Sequence, residues 1–136
     1  MSDRPGTFVD SSVLLDVFTE DERWLAWSEA ALSEALARVP LVLNAVVVAE
    51  IAPRFSRIED LEAALPERLI VEELPRAAAF LAGHAHAEYR RAGGGQSQIL
   101  PDFLIASHAA VTYRPLLTRD PRRVSTYLPG AELISP

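Results

Sequence analysis

Residues 7–18, TFVDSSVLLDVF, constrain the chain more than any other stretch. A short apolar lead, Phe8 and Val9, runs straight into Asp10, then two hydroxyls, then Val13, Leu14 and Leu15. The pattern predicts a buried strand at 7–10 that ends on a carboxylate, with a helix following at 12–18. Serine after a strand is a good helix cap, because its oxygen accepts a bond from an unpaired first-turn amide. In open α/β sheets the working residues gather at the carboxyl ends of the strands, which is where Asp10 falls.

The remaining chain repeats this alternation. Trp24, Leu25, Trp27, Ala31, Leu32, Ala35 and Leu36 recur at helical spacing and predict a helix over 20–38, broken by Pro40. Leu41, Val42 and Leu43 read as a buried strand, and Asn44 as the cap of a helix over 45–55. That helix is apolar nearly all round and is expected to lie inside, with Glu50 as the ionisable residue in its middle. A buried lone carboxylate needs a partner or a metal, and Arg54 at i+4 offers an ordinary salt bridge. Ser56 and Glu59 fit a capping box for a helix ending near Leu65. Residues 69–71 are a possible strand. Pro75 suits the first turn of a helix running to Arg91, on which His84 and His86 point to different faces. The glycines of 92–97 lack a phosphate-binding pattern and read as a connection.

Asp102 falls in the first turn of an apolar helix that runs to Val111, where an acid favours the helix dipole in any case. His108 faces elsewhere on that helix. Residues 116–118 read as a strand, Asp120 before Pro121 as a turn, and 132–134 as an edge strand. Short apolar strands alternating with helices predict a mostly parallel sheet of four to five strands, flanked by helices on both faces, in one domain over 1–136.

Composition narrows the function. The 136 residues suffice for one ordinary core. No apolar run reaches the ~20 residues that span a bilayer, and no secretory signal is visible, so a cytoplasmic protein is expected. Cysteine is absent, which removes thiolate chemistry. The net charge of −6 argues against a domain that grips nucleic acid by a basic surface, but suits a site of clustered acids. All thirteen basic residues are arginine, so mechanisms that need a lysine, including that of phospho-receiver domains, are excluded. Haloacid-dehalogenase phosphatases want an Asp where Ser12 stands.

Taken singly, each acid has an ordinary explanation. Together, Asp10, Asp102 and Asp120 fall on one edge of a parallel sheet, and Glu50 is within reach of it. Four such carboxylates cannot all ionise without a counter-charge, and Mg²⁺ or Mn²⁺ is the natural one. Hydrolysis of a phosphodiester is the chemistry this suggests.

Four pieces, FVDSSVLLD (8–16), VVVAEI (46–51), ILPDFLIASHA (99–109) and LLTRDPRRVSTYLPGAELI (116–134), resemble in order the PIN-domain ribonucleases, and more closely the VapC toxins of bacterial toxin–antitoxin operons. The resemblance implies a PIN-like fold and a metal-dependent endoribonuclease. Its Mg²⁺ or Mn²⁺ would be held by Asp10, Glu50, Asp102 and Asp120. Thr118 would orient a ligand or water, with Ser12 as a lesser candidate. It further implies an RNA substrate, a homodimer, and a VapB-type antitoxin whose tail covers the site with an arginine. Asp16 is left out of the set and expected to face solvent or cap a neighbour. Arg4, Arg90, Arg91, Arg119, Arg122 and Arg123 are candidates for a basic rim. The alternative is a non-catalytic PIN-like module that works by protein binding, which would be expected to have lost one of the acids.

Overall fold

The computed structural model describes residues 5–95, 98 and 100–136. Arg4 and part of the glycine-rich connection therefore lie outside the described residues. Five strands, β1 (Thr7–Val9), β2 (Leu41–Leu43), β3 (Leu69–Val71), β4 (Leu116–Leu117) and β5 (Leu133–Ile134), form one sheet in the order β3-β2-β1-β4-β5. All four pairings are parallel, with Phe8 opposite Val42 on one side and Leu116 on the other. Every residue of β1, β2 and β4 is buried. Side chains alternate across a strand, so such burial requires cover on both faces.

Among the described residues seven helices provide that cover: α1 (Ser11–Phe18), α2 (Leu25–Leu36), α3 (Ala45–Ile51), α4 (Ile58–Ala64), α5 (Arg76–Arg91), α6 (Pro101–Val111) and α7 (Arg122–Tyr127). Helix α1 packs on α2 and α3, while α6 packs on α5, α3 and α7. The core is built from Phe8, Leu14, Leu41, Leu43, Ile51, Phe103, Ile105, Leu116 and Leu117, each fully buried. Among the described residues no helix is long and apolar enough to cross a membrane.

The expected elements are present, and the departures have local causes. Helix α2 starts at Leu25 instead of residue 20. Glu20 takes a left-handed backbone (φ 51°), and Asp21 Oδ1 accepts from the N–H groups of Arg23 and Trp24, so 20–24 is a turn held by its own acid. The helix expected over 45–55 ends at Ile51 and tightens into a 3₁₀ turn at Ala52–Arg54, which contains Pro53. The capping box at 56–59 does not form: Arg57 is the cap residue of α4, with no side-chain cap bond. Nor do the serines cap α1; Asp10 occupies that position with no side-chain cap bond, and both hydroxyls turn to carboxylates. Asn44 caps α3 as expected, its side chain accepting from the Val47 N–H.

Candidate active site

The chain runs from β1 outward to β2 and β3, then returns to the other side of β1 with β4 and β5. Loops leaving β1 and β4 therefore diverge, and a crevice opens between them beyond the strand ends. Asp10 follows β1; Thr118, Arg119 and Asp120 follow β4. The start of α6 contributes Asp102, and α3 contributes Glu50. A cavity of about 270 Å³ is lined by these four acids with Ser11, Ser12, Arg119 and Arg123. A larger groove of about 410 Å³ beside α2 and β5 has, among the described residues, only Glu34 and Arg38 as charged lining groups and no acid cluster.

Asp10 is the best-held acid. Its Oδ2 accepts from Ser12 Oγ at 2.9 Å and from Thr118 Oγ1 at 2.8 Å. Burial nevertheless pushes its pKa above the ordinary carboxylate value; these hydroxyls oppose the shift, and the Asp102 charge adds to it. The expectation that Glu50 is buried is corrected. Only Val47 and Ile51 of α3 are buried, and Glu50 lies on the helix's exposed side. It makes no salt bridge to Arg54; Ser11 Oγ donates to its Oε1 at 2.7 Å. Its carboxyl is also shifted upward, first by partial loss of hydration and then by the charges of Asp10 and Asp102. Asp10 and Glu50 thus both feel the Asp102 charge.

Asp102 is held on one side. Arg123 Nη1 donates to its Oδ2 at 3.1 Å, while its Oδ1 is buried with no hydrogen-bond partner among the described residues. An unmet carboxylate oxygen beside two other acids is a costly arrangement that a cation would relieve. Among the described residues no three acids are already drawn together as a ligand cage. The donor set, all hard oxygen, is the chemistry that suits Mg²⁺ or Mn²⁺.

Asp120 sits at the rim. It is exposed, pairs with exposed Arg122 at 3.5 Å, and its own N–H donates to Thr118 Oγ1 at 3.2 Å. Asp16, expected to face solvent or cap a neighbour, is 2% exposed, with Oδ2 taking Arg119 Nε at 2.9 Å and Ser28 Oγ at 2.8 Å. Of the described arginines among the candidates for a basic rim, Arg119 and Arg123 line the cavity and Arg90, Arg91 and Arg122 do not. What linked Asp16 to the site was the arginine after Thr118, a pairing over 103 residues that no local pattern reveals.

Comparison with curated protein sequences finds no significant match. The fold is similar to solved structures of VapBC2 from Rickettsia felis bound to a promoter DNA fragment (17% identity, TM-score 0.69, covering 96% of this chain and 98% of that one). It is similar also to VapBC-1 from nontypeable Haemophilus influenzae (16% identity, TM-score 0.71, 96% and 97%). A third is VapBC-5 of Mycobacterium tuberculosis, a member of the VapBC family of toxin–antitoxin systems (19% identity, TM-score 0.56, 96% of each chain). The family model for the PIN domain matches residues 7–126. With that match spanning most of the sequence, and with the parallel sheet and its acid-lined crevice in place, the chain belongs to the PIN domain family.

Proposed function

We propose that this protein is a metal-dependent endoribonuclease toxin of the VapC type, acting in the cytoplasm and neutralised by a cognate VapB-type antitoxin. One observation carries the reading: Asp10, Glu50 and Asp102 share a crevice at the switch point of the sheet, burial and the Asp102 charge raise the proton affinity of Asp10 and Glu50, and a buried carboxylate oxygen of Asp102 is unmet among the described residues. The likeness to toxin–antitoxin complexes over nearly the whole chain supports the toxin assignment.

Asp10, Glu50 and Asp102 would hold Mg²⁺ or Mn²⁺, with Asp120 contributing from the rim. When bound, such an ion lowers the pKa of water and stabilises the leaving oxygen of a cleaved phosphodiester. The chain's own residues prepare the site. Thr118 and Ser12 fix the Asp10 carboxylate from two directions, and Ser11 fixes Glu50 across 39 residues of sequence. Holding acids in position before the ion arrives removes an ordering cost from binding. An antitoxin side chain with a guanidinium group would find the same carboxylates attractive, which accounts for inhibition by a covering tail.

The test is expression of wild type and Asp102→Asn in a bacterium without antitoxin, following growth and total RNA. The reading expects growth arrest with RNA fragmentation from the wild type and neither from the variant. It fails if the purified wild type binds no Mn²⁺ in calorimetry and cleaves no RNA.

A further inference from the structure

An acidic chain that cuts a polyanion needs a cation facing the strand. Among the described residues the cavity has two arginines, and they differ. Arg123 is committed to Asp102, one of the acids itself. Arg119 also lines the cavity, yet its partner is Asp16, which is buried and does not line it. Nε of Arg119 is fixed on Asp16 at 2.9 Å, and Ser28 Oγ secures the same carboxylate oxygen at 2.8 Å. The guanidinium carbon lies 5.7 Å from the Trp24 ring centroid, and the Arg119 backbone N–H donates to Ser12 Oγ at 3.3 Å. The two Nη groups make no hydrogen bond among the described residues, although the side chain is only 31% exposed. Four N–H donors are thus held at a fixed place beside the acids with nothing to receive them.

We infer that Arg119 is the phosphate-binding residue of this site: its Nη groups donate to a non-bridging phosphate oxygen of the nucleic-acid strand beside the bond to be cut. Asp16, Ser28 and Trp24 are positioning residues that hold the guanidinium in place. The assignment rests on the nuclease reading above. A guanidinium suits the task because its planar fork matches two phosphate oxygens. Fixing Nε on a buried acid and flanking the group with an indole removes much of the side-chain freedom that binding would otherwise cost.

The test uses a fluorescein-labelled single-stranded RNA of about 20 nucleotides, long enough to cross one binding groove. Its affinity for wild type, Arg119→Gln and Asp16→Asn is followed by anisotropy in EDTA from about 50 to 200 mM salt. Loss of one charge-assisted phosphate contact predicts binding about tenfold weaker for Arg119→Gln. It also predicts a salt slope smaller by about 0.7. Mn²⁺ isotherms should be unchanged within about twofold, which shows the fold and acids intact. Asp16→Asn should weaken RNA binding less than Arg119→Gln does, because it loosens the guanidinium without removing it. An unchanged slope and affinity in Arg119→Gln overturns the inference. If wild type binds Mn²⁺ but not the RNA, the inference falls and the nuclease reading stands; if it binds neither, both fall.

Discussion

Asp102 stands in the first turn of α6, and His108 stands six residues along the same helix. The first faces the acid cavity; the second is fully buried in another polar cluster. There, Asn44 Oδ1 is occupied by the Val47 N–H, so its Nδ2 is the group that meets His108 Nδ1 at 3.1 Å. His108 therefore accepts on Nδ1 and donates from Nε2 to Glu72 Oε1 at 2.8 Å. Arg114 grips both Glu72 oxygens, at 2.8 and 3.1 Å. The Arg114 bonds, with help from His108 and against some burial, hold the Glu72 pKa down at about 2. Asp10 and Glu50 are shifted the other way. In one cluster both oxygens of its acid meet donors, although Arg114 Nε is left over among the described residues; the other gathers four carboxylates whose donors are hydroxyls, Arg123 on Asp102 and the exposed Arg122 on Asp120. The difference separates a group of charges that supports the fold from one that, on the proposed nuclease reading, holds an ion.

The comparison breaks most visibly under mutation of Glu72 and Asp102. Glu72→Gln leaves the Arg114 guanidinium, 4% exposed, without its counter-charge. Removing one partner of a buried pair costs about 3 kcal/mol or more, so urea unfolding should show a large fall in midpoint with an unchanged slope. Asp102→Asn should change stability by less than about 1 kcal/mol, because the half-exposed bond to Arg123 is lost while repulsion on Asp10 and Glu50 is relieved. Its nuclease activity should fall at least about a hundredfold. Comparable destabilisation by the two variants would refute the contrast.

Added cation sharpens it. At about a hundredfold excess over its dissociation constant, Mn²⁺ stabilises by about 2.7 kcal/mol, if unfolded chain does not bind it. For a chain of this size that is a rise in Tm of about 10 °C. Glu72→Gln should keep the full rise and Asp102→Asn should lose it, read by scanning calorimetry with and without EDTA.

Acid separates the clusters next. Asp10 and Glu50 have folded pKa values above their ordinary 3.8 and 4.5, so the folded state takes up protons first. Metal-free stability should then rise as pH falls from neutral toward that range. Glu72 is the opposite case: its contribution is complete above 4.5 and is lost as pH falls toward about 2. The stability curve of metal-free protein should therefore climb on mild acidification and drop below it. Asp10→Asn should flatten the climb, and Glu72→Gln should blunt the drop. A curve that falls steadily from neutral pH would contradict the assignment for Asp10 and Glu50.

Both clusters were half visible in the sequence. Asp10, Asn44 and Asp102 are legible because each stands at a junction where strand gives way to helix, and local rules govern junctions. The strands were legible for the same reason, being short apolar runs between breakers. Asp16 was not, because its partners Ser28 and Arg119 are 12 and 103 residues away. Glu50 misled for a different reason: the valines of α3 read as all-round burial, yet Val46 and Val48 are only half buried and the helix shows one side to solvent. The serines at 11 and 12 carried a correct local preference for capping that the nearby carboxylates overrode.

Asp120 supplies the smallest and most informative break. Like Asp10 it follows a strand of the sheet, but its side chain is 59% exposed and leans toward Arg122. The charges that reach Asp10 and Glu50 come from Asp102 and, for Glu50, from Asp10 as well; Asp120 is not among them. An acid that far out contributes as an outer partner does, so Asp120→Asn should cost about tenfold in cleavage rate. It should keep most of the Mn²⁺-dependent rise in Tm, and lose no stability, since its pair with Arg122 is exposed. A loss equal to that of Asp102→Asn, with the Mn²⁺ rise gone, would mean that the loop after β4 folds inward when the ion binds. In that case the rim position is the resting place of a fourth ligand, and closure of the loop becomes part of how the site is loaded.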